Sequence, residues 1–283
     1  MAGLIDYAGL FPPAALDMTA AVRCYREYLG GPDEWALGRF IVPAVRLREF
    51  EAAFNEVCCG EREPIWSLSV LSHGDLLGGS KAIDELVQGA VIVKSIEIKA
   101  TSAAVSEQFL AKWARAQSAI PVYVEFLPAE VNSMLPMLTR AHARAKIRTG
   151  GVTEEAFPTT EAVADFLLAC AHAHMAFKAT AGLHHAVRGR YKLTYDAQSA
   201  LATMHGFANV FLAAVLARRG ADKQALIDTL EAREFTFTDQ VVRWLGQQSS
   251  VDEIAATRRE FAISYGSCSF AEPIEEARKL GWI

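Results

Sequence analysis

The sequence predicts an α/β protein, a single (β/α)8 TIM barrel, and three observations predict it. Eight short β-like runs occur along the chain, longer helical patterns fall between most of them, and strand–helix alternation favours a parallel sheet. The 283 residues, 52% of them hydrophobic, supply one large core, and such a barrel typically needs about 250 residues. An open doubly wound sheet is the structural alternative, but no glycine-rich dinucleotide fingerprint follows any of the runs.

The eight strands, in chain order, are Leu4–Tyr7, Arg39–Val42, Ile65–Leu71, Val91–Lys99, Pro121–Phe126, Ala145–Thr149, Met175–Thr180 and Phe261–Tyr265. Thr19–Leu29 reads as a helix because Val22, Tyr25, Arg26 and Leu29 recur at helical spacing, and Gly30-Gly31-Pro32 stops it. Thr159–His172 opens on Thr159, Thr160 and Glu161 and places Val163, Phe166, Leu167 and Cys170 on one face. Between the seventh and eighth strands the alternation fails, and residues 189–259 read as a helical insertion within the one domain, 1–283. Gln198–Arg218 is expected as a long amphipathic helix, Lys223–Ala232 as another, and Phe235–Thr238 as a short edge strand. The insertion could serve as packing bulk, a lid or a dimer surface, with Gln198–Arg218 the candidate contact helix of a homo-oligomer. Pro273–Leu280 closes the chain as a helix.

A net charge of −5 argues against nucleic acid as the main partner, because phosphate binding needs a basic field. The apolar stretches around Phe166–Ala171 and Val210–Ala217 are too short to span a bilayer. Five cysteines, Cys24, Cys58, Cys59, Cys170 and Cys268, form an odd set without paired metal-ligand spacing, as expected of reduced thiols. With no basic-then-apolar leader at Met1–Asp6, the expected location is the cytoplasm.

Alternation splits each strand into an outer and an inner set. With Ile96 and Ile98 outward, Glu97 and Lys99 point in; with Ile147 outward, Lys146 and Arg148 point in; Lys178 and Thr180 share the inner face of their strand. Asp6 and Glu125 lie near the C-terminal ends of theirs. Barrel enzymes place their chemistry at that end, and a charge facing a packed interior must be paired or functional. If Lys146 and Lys178 lie on adjacent strands, ammonium groups roughly 5–7 Å apart would repel by about 2–3 kcal/mol at an effective dielectric near 20. That repulsion, with desolvation, would push one lysine toward the neutral amine that attacks a carbonyl. A carboxylate at Asp6 or Glu97 would then carry protons. The alternative is a purely structural network in which these groups pair with one another.

These residues, in this order, resemble the deoxyribose-phosphate aldolases of the class I aldolase superfamily. Ile5-Asp6-Tyr7-Ala8-Gly9-Leu10-Phe11-Pro12 is similar to the family's Ile-Asp-His-Thr-Leu-Leu-Lys-Pro, and Lys146-Ile147-Arg148-Thr149-Gly150-Gly151 to its Lys-Thr-Ser-Thr-Gly-Phe. Lys178-Ala179-Thr180-Ala181-Gly182 approximates its Lys-Ala-Ser-Gly-Gly, Gly266-Ser267-Cys268-Ser269 looks like its Gly-Ala-Ser-Ser turn, and Ser95-Ile96-Glu97-Ile98 stands where it has Glu-Ile-Asp-Met. The resemblance implies Lys146 as Schiff-base nucleophile, Lys178 as the neighbour that lowers its pKa, and Glu97 as proton relay; Asp6 stays a catalytic candidate from its place on the first strand, and no cofactor is expected. The resemblance also implies that Gly182 and the Gly266–Ser269 turn hold a phosphate through backbone N–H groups. The departures are Glu for Asp at position 97, Arg148 for a small serine, and His184-His185-Ala186-Val187-Arg188 after the second lysine strand. Arg148, His184 and Arg188 could instead hold a carboxylate or a differently placed phosphate, and Thr180, Gly266, Ser267 and Ser269 are the other candidate substrate or phosphate contacts.

The expected function is a lyase acting through a Lys146 imine on a small anionic carbonyl compound. Two alternatives stand beside it: a non-catalytic barrel that binds an anionic metabolite, and a metal-dependent hydrolase using His172, His174, His184 and His185. Residues two apart on a helix face different sides, so His172 and His174 do not chelate together there, and no metal ligand set is assigned. His142 and His205 read as surface or core residues, and His73-Gly74-Asp75 as an ordinary turn.

Overall fold

A computed structural model describes residues 2–58, 64–72, 91–99, 107–111, 113 and 119–283; Cys59 and the His73-Gly74-Asp75 turn lie outside them. Eight parallel strands close into a barrel. They are β1 (Ile5–Tyr7), β2 (Leu37–Pro43), β3 (Trp66–Ser72), β4 (Val91–Lys99), β5 (Val122–Phe126), β6 (Arg144–Arg148), β7 (Phe177–Thr180) and the last strand, Ala262–Ser267, which lies between β1 and β7. Each of the eight expected runs is one of these strands, with ends displaced by no more than two residues.

The outer faces of the strands explain why they form. Trp66, Leu68 and Val70 on β3, Ile96 and Ile98 on β4, Val122, Val124 and Phe126 on β5 and Ala145 and Ile147 on β6 are all buried, and belong to the continuous core beneath the helices. This is the period-2 pattern of a sheet covered on its outer side. At one sector the core is aromatic: Tyr25 and Phe50 reach from α1 (Met18–Leu29) and α2 (Leu47–Val57) to pack on Phe40 and Trp66. Helix α1 starts where the Asp17 carboxylate accepts the Ala20 N–H at 2.7 Å, and ends at Gly30. Two more ring helices follow, α3 (Val131–Arg140) and α4 (Thr160–His172), the latter capped by the Thr159 hydroxyl.

The segment between β7 and the last strand differs from the sequence expectation. Gln198–Arg218 is not one helix. Residues Gly189–Lys192 (β8) and Leu201–Met204 (β9) pair as an antiparallel hairpin, and helix α5 begins only at Phe207 and runs to Arg219. Gly206 marks the change: a Cβ there would lie 2.4 Å from Asn209 Oδ1 and 2.5 Å from the Val187 backbone, so only glycine lets the chain turn into the helix. Helix α5 is not amphipathic either. Every residue from Phe207 to Ala217 is buried, because α5 packs in the ring between α4 and α7 (Val251–Glu260) and is covered by α6 (Lys223–Glu231). It therefore offers no free face as the expected contact helix.

Phe235–Thr238 does contain a short strand, β10 (Thr236–Phe237), but this belongs to a three-stranded antiparallel sheet with β11 (Val241–Trp244) and β12 (Gln247–Ser250). Leu245 and Gly246 both take positive φ in the two-residue turn between β11 and β12. After the barrel's final strand, now β13, helix α8 (Ala271–Lys279) completes the chain. No helix among the described residues is long and apolar enough to cross a membrane.

Candidate active site

Barrel interiors are ordinarily filled by branched apolar side chains. Here the inner face carries Asp6 from β1, Arg39 from β2, Ser69 from β3, Glu97 from β4, Tyr123 and Glu125 from β5, Lys146 from β6, Lys178 from β7 and Ser264 from β13. All but Arg39 are fully or almost fully buried. The register places Glu125, Lys146 and Lys178 side by side across three adjacent strands.

Glu97 is the centre of the arrangement. Its Oε2 accepts from Lys146 Nζ at 2.7 Å, while its Oε1 accepts from Lys178 Nζ and, at 2.6 Å, from the Ser69 hydroxyl, which also bonds Ser95 Oγ at 2.7 Å. Each ammonium has a second carboxylate: Glu125 Oε2 lies 2.9 Å from Lys146, and Asp6 Oδ2 lies 2.7 Å from Lys178. Asp6 is further held by the Ser264 hydroxyl at 2.6 Å and the Arg39 backbone N–H at 2.7 Å, and Glu125 Oε1 accepts from Arg148 Nε at 2.9 Å. Lys178 also lies 5.3 Å from the centre of the Tyr123 ring. The close approach of β2 to Asp6 needs Gly38, since a Cβ there would lie 2.3 Å from Asp6 Oδ1.

This pairing corrects the expected electrostatics of Lys146. Burial does act to lower its pKa, but Glu97 and Glu125 act the other way and prevail, so the group is held above its ordinary value of 10.5. Repulsion between two bare ammonium groups would push one toward the neutral amine; Lys146 instead shares Glu97 with its neighbour and has Glu125 besides. The carboxylates show the converse. Burial raises Asp6, Glu97 and Glu125, and their cationic partners overcome it, leaving all three below the usual carboxylate range. At rest the site is a network of ionised, hydrogen-bonded groups.

A cavity of about 420 Å³ opens above the network at the C-terminal ends of the strands. Lys146, Glu97, Glu125, Arg148, Thr180, Gly182, His184 and Gly266 contribute to its lining, with Lys99 at the rim. Lys178 and Asp6 lie in the layer beneath and do not line it, so of the two buried lysines Lys146 is the one that meets the cavity. The opposite wall is apolar, formed by Phe11, Pro12, Pro13, Ile41 and Leu71.

The remaining expected residues sit elsewhere. Ser267 Oγ contacts His184 Nδ1 at 3.1 Å and accepts the Ser269 N–H at 3.4 Å, while Ser269 Oγ accepts the Glu272 N–H at 3.2 Å. These hydroxyls serve the turn and the first turn of α8, and neither lines the cavity. The Glu272 carboxylate is 3.8 Å from His184, and burial raises its pKa. Arg188 does not reach the cavity: its backbone N–H bonds Asn209 Oδ1 at 2.8 Å, and its guanidinium approaches His205 Nδ1 at 3.4 Å. Burial lowers the pKa of His184 and of His205 to about 4, so both rings are neutral at pH 7. His205 lies buried in the core, whereas His142, His172 and His174 are exposed. Among the described residues no three His, Cys, Asp or Glu side chains are grouped as a metal-ion site.

Gly150 and Gly182 show how the ends of β6 and β7 are brought together. A Cβ on either would stand 2.8 Å from the other's Cα, and Gly182 has φ +74. The Thr149 hydroxyl, donating to Ala181 O at 2.6 Å, fixes the same junction.

Arg39, Ser69, Ser95 and Ser264 are part of the network that sequence reasoning missed. Alternation already places Arg39 and Ser264 on the inner face once the strand ends are known; what it does not reveal is that they converge on Asp6 from either side. Compared with protein-family models and with curated proteins, the chain matches none.

Proposed function

We propose that the protein is a lyase of the Schiff-base type, which uses Lys146 to form an imine with a small carbonyl compound and cleaves or forms the adjacent carbon–carbon bond. The observation that carries this reading is one buried amine meeting a cavity of substrate size, flanked by two carboxylates and set at the end of a barrel where such enzymes keep their chemistry.

The network suits each step. Lys146 gives a proton to solvent, and its lone pair attacks the carbonyl carbon while the π pair moves to oxygen, with Glu97 and Glu125 beside the nitrogen to carry the protons of the later steps. Protonated at oxygen, and having lost the second amine proton, the carbinolamine expels water as the nitrogen lone pair forms C=N. Overall an ammonium and a carbonyl become an iminium and water, so the site's charge is unchanged and Glu97 and Glu125 remain matched to a cation. With a hydroxyl on the β-carbon, a carboxylate removes its proton, the α–β bond breaks, an aldehyde leaves and the electron pair is held as an enamine. Protonation at the α-carbon and attack of water then release the second carbonyl product.

Lys178 and Asp6 act from beneath. Lys178 holds Glu97 Oε1 so that Oε2 faces Lys146, which makes it a positioning residue in this account. A binding-only barrel is the second reading, favoured by the complete pairing of Lys146 at rest. Exchange of α-hydrogen in D₂O separates the two, because an iminium at Lys146 acidifies the α C–H of a ketone and binding alone does not. Read by proton NMR, wild-type protein should wash deuterium into the α-position of a small ketone or 2-oxo acid, and Lys146→Arg should not. Equal exchange by both proteins, or none by wild type across the panel, rules out the lyase.

A further inference from the structure

The cavity mouth is divided by charge in a way that opposes the phosphate position implied by the sequence resemblance. On the β7–β13 side stand His184, which is neutral, and Cys268, with the Glu272 carboxylate 3.8 Å from the imidazole. The turn's two serine hydroxyls are occupied by the turn and by α8. No lysine or arginine lines that side among the described residues. On the β4–β6 side stand Lys99 and Arg148, both exposed, at the ends of strands that flank Glu125. Lys99 has no ion-pair partner among the described residues, and Arg148 gives only Nε to Glu125 and a long Nη1 contact of 3.4 Å to Gly150 O. Among the described residues the wall from β1 to β3 is aliphatic and aromatic, with little to bond a row of hydroxyls.

Resting on the lysine chemistry proposed above, we infer that Lys99 and Arg148 hold the substrate's anionic group, and that the far end of the substrate is an aliphatic chain seated on Phe11, Pro12, Pro13, Ile41 and Leu71. The substrate class is then a carbonyl compound with a carboxylate or phosphate on one side and an alkyl group on the other, in place of a polyhydroxylated sugar phosphate. An anion placed at Lys99 and Arg148 meets an ammonium unpaired among the described residues and a guanidinium that shares only Nε with Glu125, whereas one placed at the β13 turn has the Glu272 carboxylate nearby. The alkyl end meets a surface that gains by excluding water.

Two measurements test this, and they separate it from the lysine chemistry. The first is the half-saturating concentration for hydride-trapped adduct formation with 2-oxohexanoate and with 2-hexanone. Wild type should favour the anionic probe by well over tenfold, since two charge-assisted contacts of about tenfold each hold it, and Lys99→Met should lower that ratio about tenfold. An aldose phosphate should saturate more weakly than 2-oxohexanoate. The second is calorimetric titration with butyl phosphate, which has no carbonyl: it should bind wild type, and about tenfold more weakly in Lys99→Met and in Arg148→Met. If no ketone is trapped but butyl phosphate behaves this way, the lysine chemistry fails and the anion site stands. Butyl phosphate binding that is absent, or equal in wild type and both variants, overturns the inference, as does a probe ratio unchanged in Lys99→Met.

Discussion

Glu97 does more than any other single side chain to define the site, because each of its oxygens serves a different lysine. The consequence for chemistry is a pH dependence set by Lys146. Its pKa lies above the ordinary 10.5, since the pull of Glu97 and Glu125 exceeds the effect of burial. The free amine is thus a small fraction at pH 7 and grows about tenfold with each pH step while pH stays below that value. The initial rate of α-deuterium exchange in wild type should accordingly rise steeply from pH 7 to 9 and show no plateau there. A plateau already reached at pH 7 would mean that Lys146 is neutral at rest. The sequence made the lysines, Glu97 and Asp6 legible, since alternation in a strand says which residues face inward. It could not show the sign of the shift, because that depends on how many carboxylates reach each ammonium, and those come from three strands distant in sequence.

Among the elements, the eight barrel strands were legible because each is a short run with a buried apolar outer face, and that pattern survives without knowledge of its neighbours. The β8–β9 hairpin and helix α5 were not. The hairpin's polar residues fit a helical period as well as a strand period, and only the close passage at Gly206 decides where the helix begins. Asn209 is what fixes α5 to its surroundings: wholly buried, it accepts the Arg188 N–H at 2.8 Å and donates to Thr229 O at 2.9 Å and Ala232 O at 2.7 Å. Asn209→Leu keeps the volume but takes that partner from the Arg188 N–H and Ala232 O, each worth about 1–3 kcal/mol when left unsatisfied in the interior, while Thr229 O keeps the Ala232 N–H at 3.3 Å. Urea unfolding should show a loss of at least about 2 kcal/mol. A loss below about 1 kcal/mol would show that the amide is not holding the helix.

At the scale of the whole molecule, a chain of net charge −5 concentrates cations in its barrel: Arg39, Lys146, Arg148 and Lys178 oppose Asp6, Glu97 and Glu125. Acid should weaken the fold in two windows. His184 and His205 fall from 6.5 to about 4 on folding, so the unfolded chain takes up protons first and stability declines as pH drops from 6.5 toward 4. His205 is built for neutrality, with Nε2 donating to Pro158 O at 2.8 Å and Nδ1 facing the Arg188 guanidinium. The three carboxylates, lowered on folding, stabilise above their ordinary values of 3.8 and 4.5, and that contribution is lost as pH falls below them. The urea midpoint should therefore be highest near pH 7 to 8 and already falling between pH 6.5 and 4.5; a midpoint level from pH 7 down to pH 4.5 contradicts this. The central claim, that Lys146 forms an imine, is tested most directly by borohydride reduction in the presence of a small ketone or 2-oxo acid, read by intact mass and peptide mapping. One adduct per chain is expected, on the peptide containing Lys146 and absent from Lys146→Arg. An adduct mapped to Lys178, or one that persists in Lys146→Arg, would contradict it.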